Sequence, residues 1–386
     1  MMNVLGVKKF FYKVLVSVTR ISPLRNLVVF NSYNGKGISD DPKYIAQEIL
    51  RRNAGIELVW LVKNVKTVSL PIGIKAVKYG SLRASFYLSL ARVWVDNCRG
   101  ISSWVMKRKG QFYIQTWHST FGIKKLGTDN NKSSKARRRF VSRDMKYADL
   151  MYSNSDFRVN KYKTTFWYDG PVIKCDVPRV AFIMSKHPSL RKEIERLYGL
   201  SDGCNIAIYA PTFRDNYRDD VEVYQYDFGR IIEAINLKFC GNFVMLVRLH
   251  PNLKERGLTS RFNFTDRIID ATQYPDMDEL LCVADVLFTD FSSSMFDFGI
   301  ARKPVFLMAK DYQRYISLNR ELYFTPKKEL PFSFSESEEE LIDAISKFEE
   351  DSYKRSCDDF FNKIGLEDHG NGDKILADIV MSKMKF

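Results

Sequence analysis

Histidine is scarce in this chain of 386 residues, with 4 copies. Neither H-E-x-x-H nor any other clustered His/Cys set occurs, which argues against a bound zinc. Six cysteines lie far apart, at Cys98, Cys175, Cys204, Cys240, Cys282 and Cys357, and none forms a C-x-x-C pair. That argues against dithiol chemistry and fits free thiols of a cytosolic protein. There is no G-x-x-x-x-G-K-[ST], so the chain is not a Walker-type nucleotidase. No apolar run approaches the roughly 20 residues that span a bilayer. The basic–aromatic interleaving of common RNA and DNA modules is also missing, which sets nucleic acid aside as a partner.

What is present is a folding chain with a divided charge. Hydrophobic residues make up 45% and aromatics 14%, enough for more than one core and a natural fit to two domains. The net charge of +14 hides an asymmetry: residues 1–180 carry +22 and the remainder −8. An anionic partner therefore belongs with the first half. At the start, Val4, Val7, Phe11, Val14 and Val18 recur with helical spacing, interrupted by Lys8, Lys9, Lys13 and Arg20. Such a stripe predicts a basic amphipathic helix over 1–25, suited to the surface of an anionic leaflet.

Short apolar runs alternate with helical patterns along the rest. LVVFNSY, ELVWLVK, ARVWVDN, FYIQTWH and ADLMYSNS read as strands of a first domain, 26–185. A helix is predicted from about Pro42, capped by Asp40 or Asp41. CNIAIYAPTF, NFVMLVRLHP, RIIDAT, DVLFTD and KPVFLM read as strands of a second domain, 186–386. Near-continuous apolar strands suit a parallel sheet buried on both faces. The join is expected near Asp176–Lys192, where Pro178 and Pro188 break the pattern. The implied class is α/β: two doubly wound, Rossmann-like domains facing across a cleft. FSESEEELIDAISKFEE reads as a solvated acidic helix, and DMDELL as a helix start in place of a metal-binding D-x-D.

Several strands end in polar residues. In QTWHSTFGIKKLG, His118 stands among hydroxyls, ahead of Lys124 and Lys125. Its ordinary pKa near 6.5 suits a proton acceptor at neutral pH. In the second domain Thr212 and Arg214 follow one strand, Arg248 and His250 another. Asp290, Ser292 and Ser293 follow a third, where a helix begins and an anion is favoured. The pattern predicts a base in one domain and an anion site in the other.

The ordered motifs GISDDPKYI, TWHSTFGIKKLG, SNSDF, VIKCDV, YAPTFRD, VRLHPN, FTDFSSSMFDF and RKPVFLM span roughly residues 30–315. Together they resemble the CDP-glycerol glycerophosphotransferase family of teichoic acid and capsular polymer synthesis, in its short form. The resemblance implies a glycosyltransferase-B type fold; no cofactor or metal ligand is assigned, and the metal requirement is left open. The resemblance also implies attack by an acceptor hydroxyl on the β-phosphorus of CDP-glycerol, with release of CMP. By motif, His118 is the implied general base, with His250 the second catalytic histidine. His250 and Arg248 would contact the diphosphate, Ser292 and Ser293 the phosphate, and Asp297 the nucleotide. Ser119, Thr120, Lys174, Pro211, Thr212, Leu249 and Thr289 complete the implied donor-binding set.

Three positions depart from the family pattern: Ser119 replaces a glycine, Phe121 a proline, and Lys174 an arginine. A lysine is a point charge where arginine offers a fork, so the departures bear most on the identity of the alditol. The implied acceptor is an undecaprenyl-pyrophosphate-linked saccharide or polymer at the cytoplasmic face of the membrane. Lys8, Lys9, Lys13, Lys124, Lys125, Arg137, Arg138 and Arg139 would face it. Two other reactions fit the same fold: ribitol phosphate transfer from CDP-ribitol, and sugar transfer from a nucleotide sugar. Homo-oligomerisation is left open.

Overall fold

The computed structural model describes residues 19, 21–52, 55–101, 105–119, 121–130, 135–216 and 220–385. The expected basic helix, with Lys8, Lys9 and Lys13, lies outside these residues, as do Thr120 and the side chain of Arg137. Among the described residues no helix is long and apolar enough to cross a membrane.

The chain forms two compact units. One gathers the described residues of 1–118, 133–181 and 368–386; the other gathers those of 119–132 and 182–367. This departs from the expected 26–185 and 186–386 division in two places, each with a local cause. The segment after His118 is drawn into the second unit by Phe121, which is fully buried against Phe296 and Phe324, with ring centroids 4.6 and 5.7 Å away. Its backbone joins there too, Lys125 N–H donating to Glu321 O at 2.9 Å and Tyr323 N–H to Ile123 O at 2.8 Å. At the other end, the helix Gly372–Ser382 returns to pack on the helix Asp41–Arg51 of the first unit. Only glycine suits its start, since a Cβ on Gly372 would lie 2.3 Å from the carbonyl carbon of Val177. Asp368 anchors the return, accepting from Asn154 Nδ2 at 2.8 Å and Val177 N–H at 3.0 Å.

In the first unit, β1 (Arg25–Asn31), β2 (Glu57–Val62), β3 (Ile74–Lys78), β4 (Ala91–Asp96) and β5 (Phe112–Gln115) form a parallel sheet in the order β3-β2-β1-β4-β5. Val29 of the central strand sits opposite Val59 on one side and Trp94 on the other, all fully buried. β6 (Met151–Ser153) and β7 (Val172–Lys174) pair in parallel beside it, joined by an Ile114–Leu150 bridge. The unexpected β3, IKAVK, buries only Val77 and alternates with lysines, the pattern of an edge strand. The strand order reverses between β1 and β4. Their carboxyl ends deliver Tyr33 and Asn97, and ligands of doubly wound sheets bind at such reversals.

The second unit repeats the plan. β8 (Asn205–Tyr209), β9 (Phe243–Val247), β10 (Ile268–Asp270), β11 (Val286–Thr289), β12 (Val305–Met308) and β13 (Ser333–Ser335) are parallel, in the order β10-β9-β8-β11-β12-β13. Its reversal lies between β8 and β11, where Thr212 and Asp290 emerge. Asp276 caps the helix Met277–Val283 by accepting from Asp278 N–H at 3.0 Å, the helix start expected of DMDELL. The acidic stretch forms the helix Glu338–Ser346, with Ser337 accepting from Glu340 N–H at 3.1 Å. It is amphipathic and not wholly solvated, since Leu341 and Ile345 are buried.

Candidate active site

After β5 the chain turns sharply. Trp117 takes a left-handed backbone with φ of 59°, a conformation that costs a bulky residue on the order of 1–3 kcal/mol. The turn is held by Thr116 N–H donating to Asp96 O at 2.9 Å and Trp117 N–H to Gln115 Oε1 at 2.9 Å. It presents a half-buried His118, whose ring lies 3.9 Å from that of Trp117 and 5.8 Å from that of Tyr33, centroid to centroid. His118 Nδ1 is 3.1 Å from the carbonyl oxygen of Asn97. A carbonyl only accepts, so the neutral ring carries its hydrogen on Nδ1 and leaves the Nε2 lone pair as a proton acceptor. Burial lowers the imidazole pKa below its ordinary 6.5. The Asn97 carbonyl and Asp40 oppose that shift, while Arg99 and Arg179 act with it.

Behind Asn97 stands a buried charged cluster. Asp40 Oδ2 accepts from Asn97 Nδ2 at 2.7 Å and from Tyr33 O–H at 3.0 Å, while Asn97 Oδ1 accepts from Tyr33 N–H at 2.8 Å. Arg179 Nη1 reaches Asp40 Oδ1 at 3.1 Å and Asp41 Oδ2 at 2.8 Å. Tyr152 O–H donates to Asp41 at 2.8 Å. Asp40 itself has a φ of 64° and caps the helix Asp41–Arg51. Burial, reinforced by the charge of Asp40, pushes the Asp41 carboxyl up to about 7 against the pull of Arg179. The cluster locks the residue that orients His118.

The carboxyl edge of the second sheet is organised by Arg214. Expected as a rim group, it is instead fully buried, with Nη1 2.6 Å from Asp290 Oδ2 and Nε 2.6 Å from Asp311 Oδ2. Burial lowers its pKa, but Asp290 and Asp311 outweigh that and raise it above the ordinary arginine value. Arg214 Nη1 also donates to Thr212 O at 2.7 Å, and Asp290 Oδ1 accepts from Thr212 N–H at 2.9 Å. Ser292 Oγ accepts from Ser294 N–H at 3.3 Å and Ser294 O–H at 2.9 Å, which leaves its own hydrogen to donate. Ser293 precedes the short helix Ser294–Ile300 without a side-chain capping hydrogen bond, and Asp297 is buried within that helix.

His250 is exposed and starts the helix Pro251–Glu255, its ring 5.3 Å from Phe213. Its Nδ1 accepts from Asn252 N–H at 3.2 Å, so its hydrogen sits on Nε2 as a donor. The two histidines are thus held in opposite tautomers, one aimed to take a proton and one to donate a hydrogen bond.

Several expected contacts have other partners. Thr289 is fully buried and its hydroxyl donates to Ala210 O at 2.7 Å, tying β11 to the end of β8. Leu249 is buried, with its N–H donating to Thr272 Oγ1 at 3.2 Å. Arg248 donates to the carbonyls of Ala271, Thr272 and Tyr274. Pro211 is buried beside Thr212, and Ser119 is half-buried at the start of the second unit's segment.

Lys174 pairs with Asp156 at 2.8 Å on the surface, and the cations that act on His118 are Arg99 and Arg179. Sequence reading missed Arg179, Asp40 and Asn97 as site groups; the signals were the paired acids before a proline and the Pro178–Arg179 step. Lys124 and Lys125, expected on the first domain's basic face, belong to the second unit, where Lys125 pairs with Glu321 at 3.2 Å. Arg138 and Arg139 are exposed on the helix Lys135–Met145, with Arg138 5.6 Å from the Trp167 ring centroid.

Similarity to known proteins agrees with this geometry. The chain is 28% identical over 382 residues to the teichoic acid glycerol-phosphate transferase of Staphylococcus aureus, covering 92% of this chain and 93% of that one. It is 26% identical over 371 residues to the teichoic acid poly(glycerol phosphate) polymerase of Staphylococcus epidermidis, covering 93% of this chain but only 51% of that longer protein. Its fold matches the structure of the wall teichoic acid polymerase TagF with a TM-score of 0.84 at 24% identity, over 98% of this chain and 94% of the other. That likeness is one of fold, of the glycosyltransferase-B type. The profile of one family runs over residues 14–381, and on that evidence the chain belongs to the CDP-glycerol:poly(glycerophosphate) glycerophosphotransferase family.

Proposed function

We propose that this chain transfers glycerol phosphate from CDP-glycerol to a hydroxyl of a lipid-linked saccharide or polyol-phosphate acceptor. The acceptor oxygen attacks the β-phosphorus, and its proton passes to His118 Nε2. The bond from the β-phosphorus to the bridging oxygen breaks, and CMP leaves with the electron pair. His250 Nε2–H, the Ser292 hydroxyl and the Ser293 turn hold phosphate oxygens and the charge that develops on the leaving side. Asp297 and the Pro211–Thr212 turn serve the nucleotide. The observation that carries the reading is the opposite tautomers of the two histidines. A carbonyl on Nδ1 makes His118 a base, and a backbone N–H on Nδ1 makes His250 a donor.

The acceptor places the work at the cytoplasmic face of the membrane, to which the +22 of residues 1–180 supports attraction. The test is full-length protein with labelled CDP-glycerol and a synthetic lipid-linked disaccharide, with CDP-ribitol as the competing donor. CMP release that requires the acceptor is expected, together with a strong preference for CDP-glycerol. Release of a nucleoside diphosphate from a nucleotide sugar would replace this reading with sugar transfer, and preference for CDP-ribitol would change the alditol.

A further inference from the structure

The segment that follows His118 carries Lys124 into the second unit, where its backbone is pinned. Lys124 forms an antiparallel bridge with Leu322, and its neighbours bond to Glu321 and Tyr323. The side chain is half-buried, with Nζ 5.9 Å from the ring centroid of Tyr315. Tyr315 stacks at 4.0 Å on Phe291, the residue after Asp290. Lys124 thus stands at the β8/β11 reversal, where a doubly wound sheet takes its ligand.

The charges acting on it are those of Asp290, Asp215, Arg214 and Arg320. Arg214 is committed to Asp290 and Asp311, and Arg320 lies 3.7 Å from Asp215. Lys124 makes no hydrogen bond or ion pair of its own among the described residues, although Lys125 beside it is paired. A partly desolvated ammonium that meets only the face of a ring is costly unless something anionic completes it. Burial lowers its pKa to about 8 against the pull of Asp290, which leaves it charged at neutral pH.

We propose that Lys124 is a donor-binding residue whose ammonium takes a phosphate oxygen of the nucleoside diphosphate at the β8/β11 edge of the second unit. This rests on the donor reading above. The competing role is structural: Lys124 would offset the excess negative charge where one arginine meets two carboxylates, Asp290 and Asp311. The two separate by ligand. Calorimetric titrations of wild type, Lys124→Met and Lys124→Arg would use cytidine, CMP and CDP-glycerol, with melting curves alongside. Loss of one charge-assisted contact should weaken CDP-glycerol about 10- to 100-fold in Lys124→Met. Cytidine affinity and melting temperature should stay as in wild type, and Lys124→Arg should recover part of the loss. Unchanged CDP-glycerol affinity in Lys124→Met, or an equal loss for cytidine with a lower melting temperature, overturns the proposal. Failure of wild type to bind CDP-glycerol would instead overturn the reading of the donor.

Discussion

The two units share one plan, a parallel sheet wound both ways from a central strand, yet they furnish their carboxyl edges differently. The first surrounds an imidazole with buried acids and an arginine that set its tautomer through Asn97. The second pairs its central arginine with two aspartates, and carries hydroxyls, an imidazole N–H and a lysine at the same edge, the groups the proposed donor would meet. Moving a proton needs one lone pair in a defined direction. Gripping an anion needs several donors on a rigid frame, and the buried Arg214, paired with Asp290 and Asp311, is such a frame.

Removing His118 should separate the two roles most sharply. His118→Ala is expected to lower kcat by about 10²- to 10⁴-fold, the usual contribution of a general base, with CDP-glycerol affinity retained. His250→Ala should weaken donor binding as well, and identical kinetic signatures for the two variants would erase the contrast. Next in size is Arg214→Met, which leaves Asp290 and Asp311 buried without their cation. About 3–5 kcal/mol of stability should be lost in denaturant titration; a loss under 1 kcal/mol would remove Arg214 as the frame.

Asp40→Asn tests the orienting cluster. A loss in kcat of roughly 5- to 30-fold is expected, as for about 1–2 kcal/mol of lost positioning. The pH profile distinguishes this from simple loosening. His118 must be neutral to act, and burial holds its pKa below 6.5, so wild-type kcat should fall only below that pH. Asp40 favours the protonated ring; its neutralisation should move this acid limb lower still, and an upward shift would contradict the assignment.

The last effect is confined to the pH dependence of stability. The Asp41 carboxyl is raised from 3.8 to about 7 in the folded state, so the fold binds an extra proton between those values. Its contribution is full below about pH 4 and is lost as pH rises through 7. Chemical denaturation of Asp41→Asn across this range should lack that slope.

Much of the fold was legible, strand by strand. LVVFN, ELVWLV and NIAIY are apolar on both faces and too short for helices, so they announce central parallel strands. SFS at 333–335 is too short to carry a pattern, and IKAVK lacks an apolar run because its edge position buries one side chain. His118 and the serine turn were legible as chemistry because unusual residue types end apolar runs there. Arg214 was legible as polar but not as buried, since its two partners come from Asp290 and Asp311, far along the chain. Arg179 was illegible for the same reason: its partners Asp40 and Asp41 lie far back along the chain.

By itself the sequence determined two parallel α/β sheets, their order along the chain, and the residue types that end their strands. Local periodicity carries that information, because strand and helix spacing depend only on neighbours a few residues away. Tertiary structure alone decided that 119–132 joins the second unit and that the C-terminal helix returns to the first. It also decided which nitrogen of His118 holds the proton. Those outcomes depend on partners distant in sequence, Phe296 for Phe121, Val177 for Gly372 and Asn97 for His118, and burial selects such partners only once the chain has closed.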